Sequence, residues 1–183
     1  EEPAEELNNI TPAFFEMLSE SDQKGYITLR NEIAASDTKF KRYKRITSLQ
    51  EALYAIRTYC VRNDKDDWRR FLVCGICWIG WDIAINTRQL RLLINKCKSS
   101  INGAIAKMGY STAPIKGEGF SALINAIPFL KGNFVEQRMW TVRKRQIGSP
   151  APSRNFGFNS PILTTLTNYP SRSPQPFLAG IPR

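Results

Sequence analysis

From Ser48 onward the apolar residues Leu49, Leu53, Ile56, Tyr59 and Cys60 fall on one stripe of a 3.6-residue period. Ser48 and Glu51 stand at the spacing of a capping box, in which each side chain satisfies an amide of the other. A helix is therefore expected over 48–62, closed by the polar run NDKDD at 63–67. Upstream, Thr11-Pro12 is a helix-start pair with Thr11 as the cap, followed by Phe14, Phe15, Met17 and Leu18 as an apolar face. A second helix is predicted over about 23–35, with Ile27, Ile33 and Ala34 turned inward and Gly25 weakening it by roughly 1 kcal/mol relative to alanine.

Downstream, Trp68 to Ile85 is rich in Val, Ile, Trp and Phe, a composition that favours a buried strand. An all-apolar run has no informative period, so a buried helix over part of it fits as well.

The stretch NTRQLRLLINKCKSSINGAIAKMGY, residues 86–110, reads as two short helices around a tight turn. Asn86 suits an N-cap, with Gln89 placed to reach back to it, and Leu90, Leu93 and Ile94 form an inner face. Asn95-Lys96-Cys97 supplies the turn. The second helix is expected from about Lys98 to Met108, stopped by Gly109, with Ile101, Ile105 and Met108 inward. At 100° per residue its other face carries Ser99, Asn102, Gly103 and Ala106, flanked by Lys98 and Lys107. Beyond a turn-rich connection at 111–119, Phe120 to Ile127 suits a short helix. Phe129 to Thr141 suits a hairpin turning at Lys131-Gly132-Asn133, with Lys131 and Arg138 on it.

The elements add up to an α+β domain: a helix-turn-helix with a small β-sheet, in the manner of a winged helix. It is expected over 11–145, after an acidic lead-in at 1–10 and before an extended, proline-rich, basic C-terminal tail at 146–183.

Charge turns this outline towards a partner. Residues 1–37 hold 9 acidic and 2 basic groups, and the rest holds 24 basic and 7 acidic, so −7 stands against +17. A body this positive favours a polyanion. Candidate backbone contacts are Lys41, Arg42, Lys44 and Arg45 in the segment TKFKRYKR at 38–45, where Phe40 and Tyr43 interleave the cations. Arg143, Lys144 and Arg145 open a basic arm suited to a minor groove or to phosphates. On the second central helix, Ser99, Ser100 and Asn102 can meet base edges. Asn102 is the first choice, for an adenine. Gly103 and Ala106 allow close approach, and Arg88, Lys96, Lys98 and Lys107 can neutralise phosphates.

Other chemistry finds little support. The chain has no histidine, so His-based triads and His-ligated metals are excluded. CGIC at 74–77 could be half a zinc site or a redox pair, but no second pair follows it, and Cys60, Cys74, Cys77 and Cys97 read better as buried free thiols. No enzyme, cofactor or metal is expected. The apolar run 71–85 is too short and too broken to cross a bilayer.

The run INTRQLRLLINKCKSSINGAIAKMGY, followed by INAIPFL at 124–130, resembles the transcription-initiator DNA-binding domain family. This is the family of the initiator-binding proteins of trichomonad protists and related core-promoter binders. The resemblance covers roughly residues 10–145. It implies a winged-helix variant that binds double-stranded DNA at a core-promoter element, in the nucleus. Members can carry a further C-terminal domain that contacts RNA polymerase. Here a proline-rich tail takes its place, with transcription machinery or a neighbouring chain as its expected contacts. The competing expectations are an RNA- or general polyanion-binding module, and a protein-interaction domain using the helix pair and the tail.

Overall fold

The computed structural model describes residues 10–35, 48–113, 117–146 and 148. The 38–45 cluster and the tail beyond Gly148 lie outside the described residues. Among the described residues, seven α-helices and four strands follow in the order α1 (Glu20–Ala35), α2 (Leu49–Cys60), α3 (Asp67–Cys74), β1 (Ile76–Ile79), β2 (Asp82–Asn86), α4 (Thr87–Ile94), α5 (Lys98–Lys107), β3 (Tyr110–Thr112), α6 (Glu118–Ala126), α7 (Phe134–Gln137) and β4 (Trp140–Arg145). Single 3-10 turns lie at Phe15–Met17 and Pro128–Leu130. The four strands form one antiparallel sheet in the order β1-β2-β4-β3. The fold is α+β.

The strongest periodic segment folds as its pattern requires. Glu51 N–H donates to Ser48 Oγ and Ser48 N–H donates to Glu51 Oε2, both at 3.2 Å, closing the capping box of α2. Ile56, Tyr59 and Cys60 are buried, against α1 and α3. On α1 the buried set is Tyr26, Leu29 and Ile33, spaced three and four apart, so Ile27 falls off the stripe and is exposed. The N-terminal helix expected after Thr11-Pro12 is only a 3-10 turn. Phe14 before it is left-handed (φ 64°), and Phe14 and Phe15 turn apart to pack edge-on against Phe129 and Tyr26.

The apolar run 68–85 divides between both readings its composition permits. Its first part is helix α3, and the rest is the hairpin β1–β2, with Ile76 opposite Ile85 and Ile79 opposite Asp82. Gly75 makes the corner. It stands at φ +75°, and a Cβ there would lie 2.6 Å from Asn86 O and from Gln89 Cβ. Only glycine lets the end of α3 pass so close beneath the start of α4. Asn86 N–H donates to Gly75 O at 2.9 Å across this junction.

The hairpin expected over 129–141 does not form. Pro128–Leu130 and Phe134–Gln137 are helical, and a 3-10 turn followed by α7 fills the space between α6 and β4. Apolar alternation there was too short to distinguish strand from helix. β4 alone is extended. It runs through Arg143, Lys144 and Arg145, which are therefore part of the sheet between β2 and β3 rather than the start of an arm.

A charged cluster braces the helical side. Arg70 is 1% exposed. Its guanidinium meets Asp22 at 3.0 Å, Asp64 at 2.7 Å and Asp67, while Nε donates to Cys60 O at 3.1 Å. Arg62 reaches the other oxygen of Asp22 at 2.7 Å. The NDKDD segment thus supplies counter-charges for a buried arginine.

Candidate nucleic-acid interface

The helix pair α4–α5 is built as its residues dictate. Asn86 Oδ1 accepts from the amides of Arg88 (3.1 Å) and Gln89 (3.4 Å), capping α4. Leu90, Leu93 and Ile94 are buried. Gln89 does not reach back to the cap. It is itself buried and grips Ala13, donating from Nε2 to Ala13 O at 2.8 Å and accepting from Ala13 N at 3.3 Å. Asn95, left-handed at φ 50°, ends α4 and starts the turn. α5 follows at Lys98, buries Ile101 and Ile105 against the core, and stops before Gly109 at φ +84°.

This leaves an outward face. Lys98, Ser99, Ser100, Gly103, Ala106 and Lys107 are exposed, and Asn102 is half-buried. Among the described residues, nothing beyond the neighbouring residues and the backbone of α5 itself lies within 4 Å of where a Cβ on Gly103 would stand. The turn adds Lys96 and Cys97, both exposed. Cys97 thus departs from the buried-thiol expectation that Cys60, Cys74 and Cys77 fulfil. Its Sγ lies 3.0 Å from Ser100 Oγ and 3.2 Å from Ser99 Oγ. These bonds to Ser100 and Ser99 stabilise the thiolate and pull the Cys97 pKa down to about 7.

β4 brings cations to the same unit. Arg143 Nη2 donates to Asn102 Oδ1 at 2.9 Å, and Nη1 donates to Thr112 Oγ1 at 2.5 Å. Strand β3, which follows α5 directly, pairs Thr112 with Arg143, Ser111 with Lys144 and Tyr110 with Arg145. Lys144 is exposed. The Arg145 guanidinium lies 5.9 Å from the Trp81 ring at the β1–β2 turn, and its amide donates to Asp82 Oδ1 at 3.0 Å. Arg88 stands apart from this group. It lies at the first turn of α4 and feels Glu136 of α7, whose Oε1 accepts from Asn86 Nδ2 at 3.1 Å.

The structure therefore gathers Lys98, Ser99, Ser100, Asn102, Gly103, Ala106 and Lys107 on one helix, with Arg143 beside them. Lys41, Arg42, Lys44 and Arg45 lie outside the described residues. Nothing in the local sequence pattern points to Thr112 or Trp81. One signal was available for the region as a whole: between Asp82 and Glu118 the chain carries no acidic residue.

The sequence model of one family, the transcription-initiator DNA-binding domain (IBD), matches residues 20–147. The chain belongs to this family. The match takes in α1 to β4, so the helix pair, the sheet and the buried Arg70 cluster all lie within the family's domain. No curated protein and no solved structure matches the chain. Membership assigns the domain to DNA binding in transcription initiation. Among the described residues no helix is long and apolar enough to cross a membrane.

Proposed function

We propose that the chain is a nuclear, sequence-specific, double-stranded DNA-binding transcription factor that recognises a core-promoter element. Residues 11–145 form the binding unit, between the acidic lead-in and the proline-rich tail. Helix α5 lies in the major groove. One observation carries this reading: the outward face of α5 is small and polar, with a lysine at each end. Such a face lets the helix backbone approach base edges while the lysines neutralise phosphates on either side. Ser99 and Asn102 make the base contacts. Lys96, Lys144, Arg145 and the 38–45 cluster hold the backbone or an adjoining minor groove. The tail contacts transcription machinery or a neighbouring chain.

A competition assay at two salt concentrations tests the reading. Labelled duplex enriched from a random pool is challenged with scrambled duplex, RNA and heparin. Resistance to the competitors at the higher salt supports sequence-specific duplex binding. Equal displacement by all three supports a general polyanion module instead. A second reading, docking on another protein, draws on Phe134 and Val135, which are 69% and 70% exposed on α7. No duplex binding even at low salt would favour it.

A further inference from the structure

Arg143 is engaged in a way that a phosphate contact does not require. A guanidinium carries donors only. The only atom of the Asn102 amide that it can bind is therefore Oδ1, and it does so at 2.9 Å. Its other arm is fixed by Thr112 Oγ1 on β3, directly across the sheet from its own backbone. Nε is buried, with no hydrogen-bond partner among the described residues. The sheet thus holds the guanidinium, and the guanidinium holds the Asn102 amide with its carbonyl turned towards β4. The Nδ2 end is left to face a ligand with two N–H donors.

We propose that Arg143 is a positioning residue for Asn102, and that the pair reads guanine in the major groove. This rests on the reading that α5 enters that groove. An asparagine reads adenine by accepting from N6 with its carbonyl while donating to N7. Here Arg143 takes one of the carbonyl's two lone pairs and turns the oxygen towards β4, so the amide's NH2 end is the better placed to meet a base. Guanine offers two acceptors, O6 and N7, and no donor on its major-groove edge. An amide presenting donors, backed by an arginine whose N–H groups are also donors, matches that edge. The charge of Arg143 then acts on a base and not on a phosphate.

The test uses the full chain and the duplex it enriches from a random pool, titrated at three salt concentrations. The enriched site is expected to contain a guanine whose replacement by 7-deazaguanine, which lacks the N7 acceptor, weakens the wild type about tenfold. Asn102→Ala should be insensitive to that replacement. Arg143→Lys keeps the charge but cannot span both oxygens. It is expected to lose discrimination at the same base pair with an unchanged salt slope, and Asn102→Ala added to it should cause no further loss. A melting curve checks that Arg143→Lys is folded. If it is not, Thr112→Val, which removes the second anchor without touching a charge, carries the same test.

Full discrimination by the folded lysine variant, or by Thr112→Val where that stands in, would overturn the proposal. Adenine at the site read by Asn102, or indifference of the wild type to 7-deazaguanine, would overturn it as well. In those cases specific binding itself survives. If no sequence is enriched at all, the reading of α5 fails and the proposal goes with it.

Discussion

Gly103 stands on the outward face of α5 with open space around its missing side chain. In the free protein Gly103→Ala should therefore stabilise, by about 0.8–1.0 kcal/mol from helix propensity alone. If α5 enters a groove at close range, the same methyl group falls between helix and bases, and duplex affinity drops while the melting temperature rises. Opposite signs in the two measurements are the expected outcome. Cys97 offers a second probe of this edge. Its thiolate is stabilised by Ser100 and Ser99, so alkylation by iodoacetamide should rise through a midpoint near pH 7, where the Cys97 pKa lies. Ser100→Ala should move the midpoint upward; an unmoved midpoint would show that the hydroxyl does not hold the thiolate. At this scale the cap at Asn86 and the inward Ile101 and Ile105 were legible in the sequence, because each follows from local spacing. The partner of Asn102 was not. Arg143 is 41 positions away, and only the pairing of β4 with β3 brings it near.

Among the elements, α2 and the α4–α5 pair could be read from periodicity and caps, since both expose a polar face against a buried stripe. The run 68–85 could not. Its residues are buried on more than one side, and burial of that kind erases the period that separates helix from strand. Gly75 settles the matter in the fold by turning α3 into the β1–β2 hairpin. In CGIC the chemistry suggested by the sequence lies in the cysteines, while the fold depends on the glycine between them. Gly75→Ala would place a methyl group 2.6 Å from the backbone of Asn86 at a left-handed φ. It should destabilise the domain by at least about 1–3 kcal/mol, seen as a lower urea midpoint. A wild-type midpoint would mean that α3 and α4 do not meet so closely. The expected hairpin at 129–141 failed for a related reason. Lys131-Gly132-Asn133 does turn the chain, but Asn133 then caps α7 by accepting from Glu136 N–H at 3.2 Å.

For the molecule as a whole, the sequence shows where acidic residues fall along the chain but not that some of them face a buried cation. In the sequence NDKDD is only a polar run that closes a helix, yet Asp64 and Asp67 face Arg70, and Asp22 of α1 meets it from the other side. The cluster ties α1, α2 and α3 together, on which the helix pair stands. Arg70→Met leaves Asp22 buried with Arg62 as its remaining cation, and it should cost about 3–5 kcal/mol in urea unfolding. A loss under about 1 kcal/mol would show that the bridge is not holding the helices. The cluster also fixes an acid limit. Desolvation raises the pKa of Asp64, but hydrogen bonds from Arg70 and the Asp66 amide outweigh it and hold the carboxyl below its ordinary 3.8. Its contribution is complete above that value and is lost as the pH falls through the lower value of the folded state.

The account turns on α5 reading bases, and the ratio of affinities for the enriched and scrambled duplexes, measured for wild type and Asn102→Ala side by side, tests it most directly. The variant should lose about 1–3 kcal/mol on the enriched duplex, little on the scrambled one, and its selectivity should relax at one base pair. An unchanged ratio at wild-type affinity would show that Asn102 reads no base.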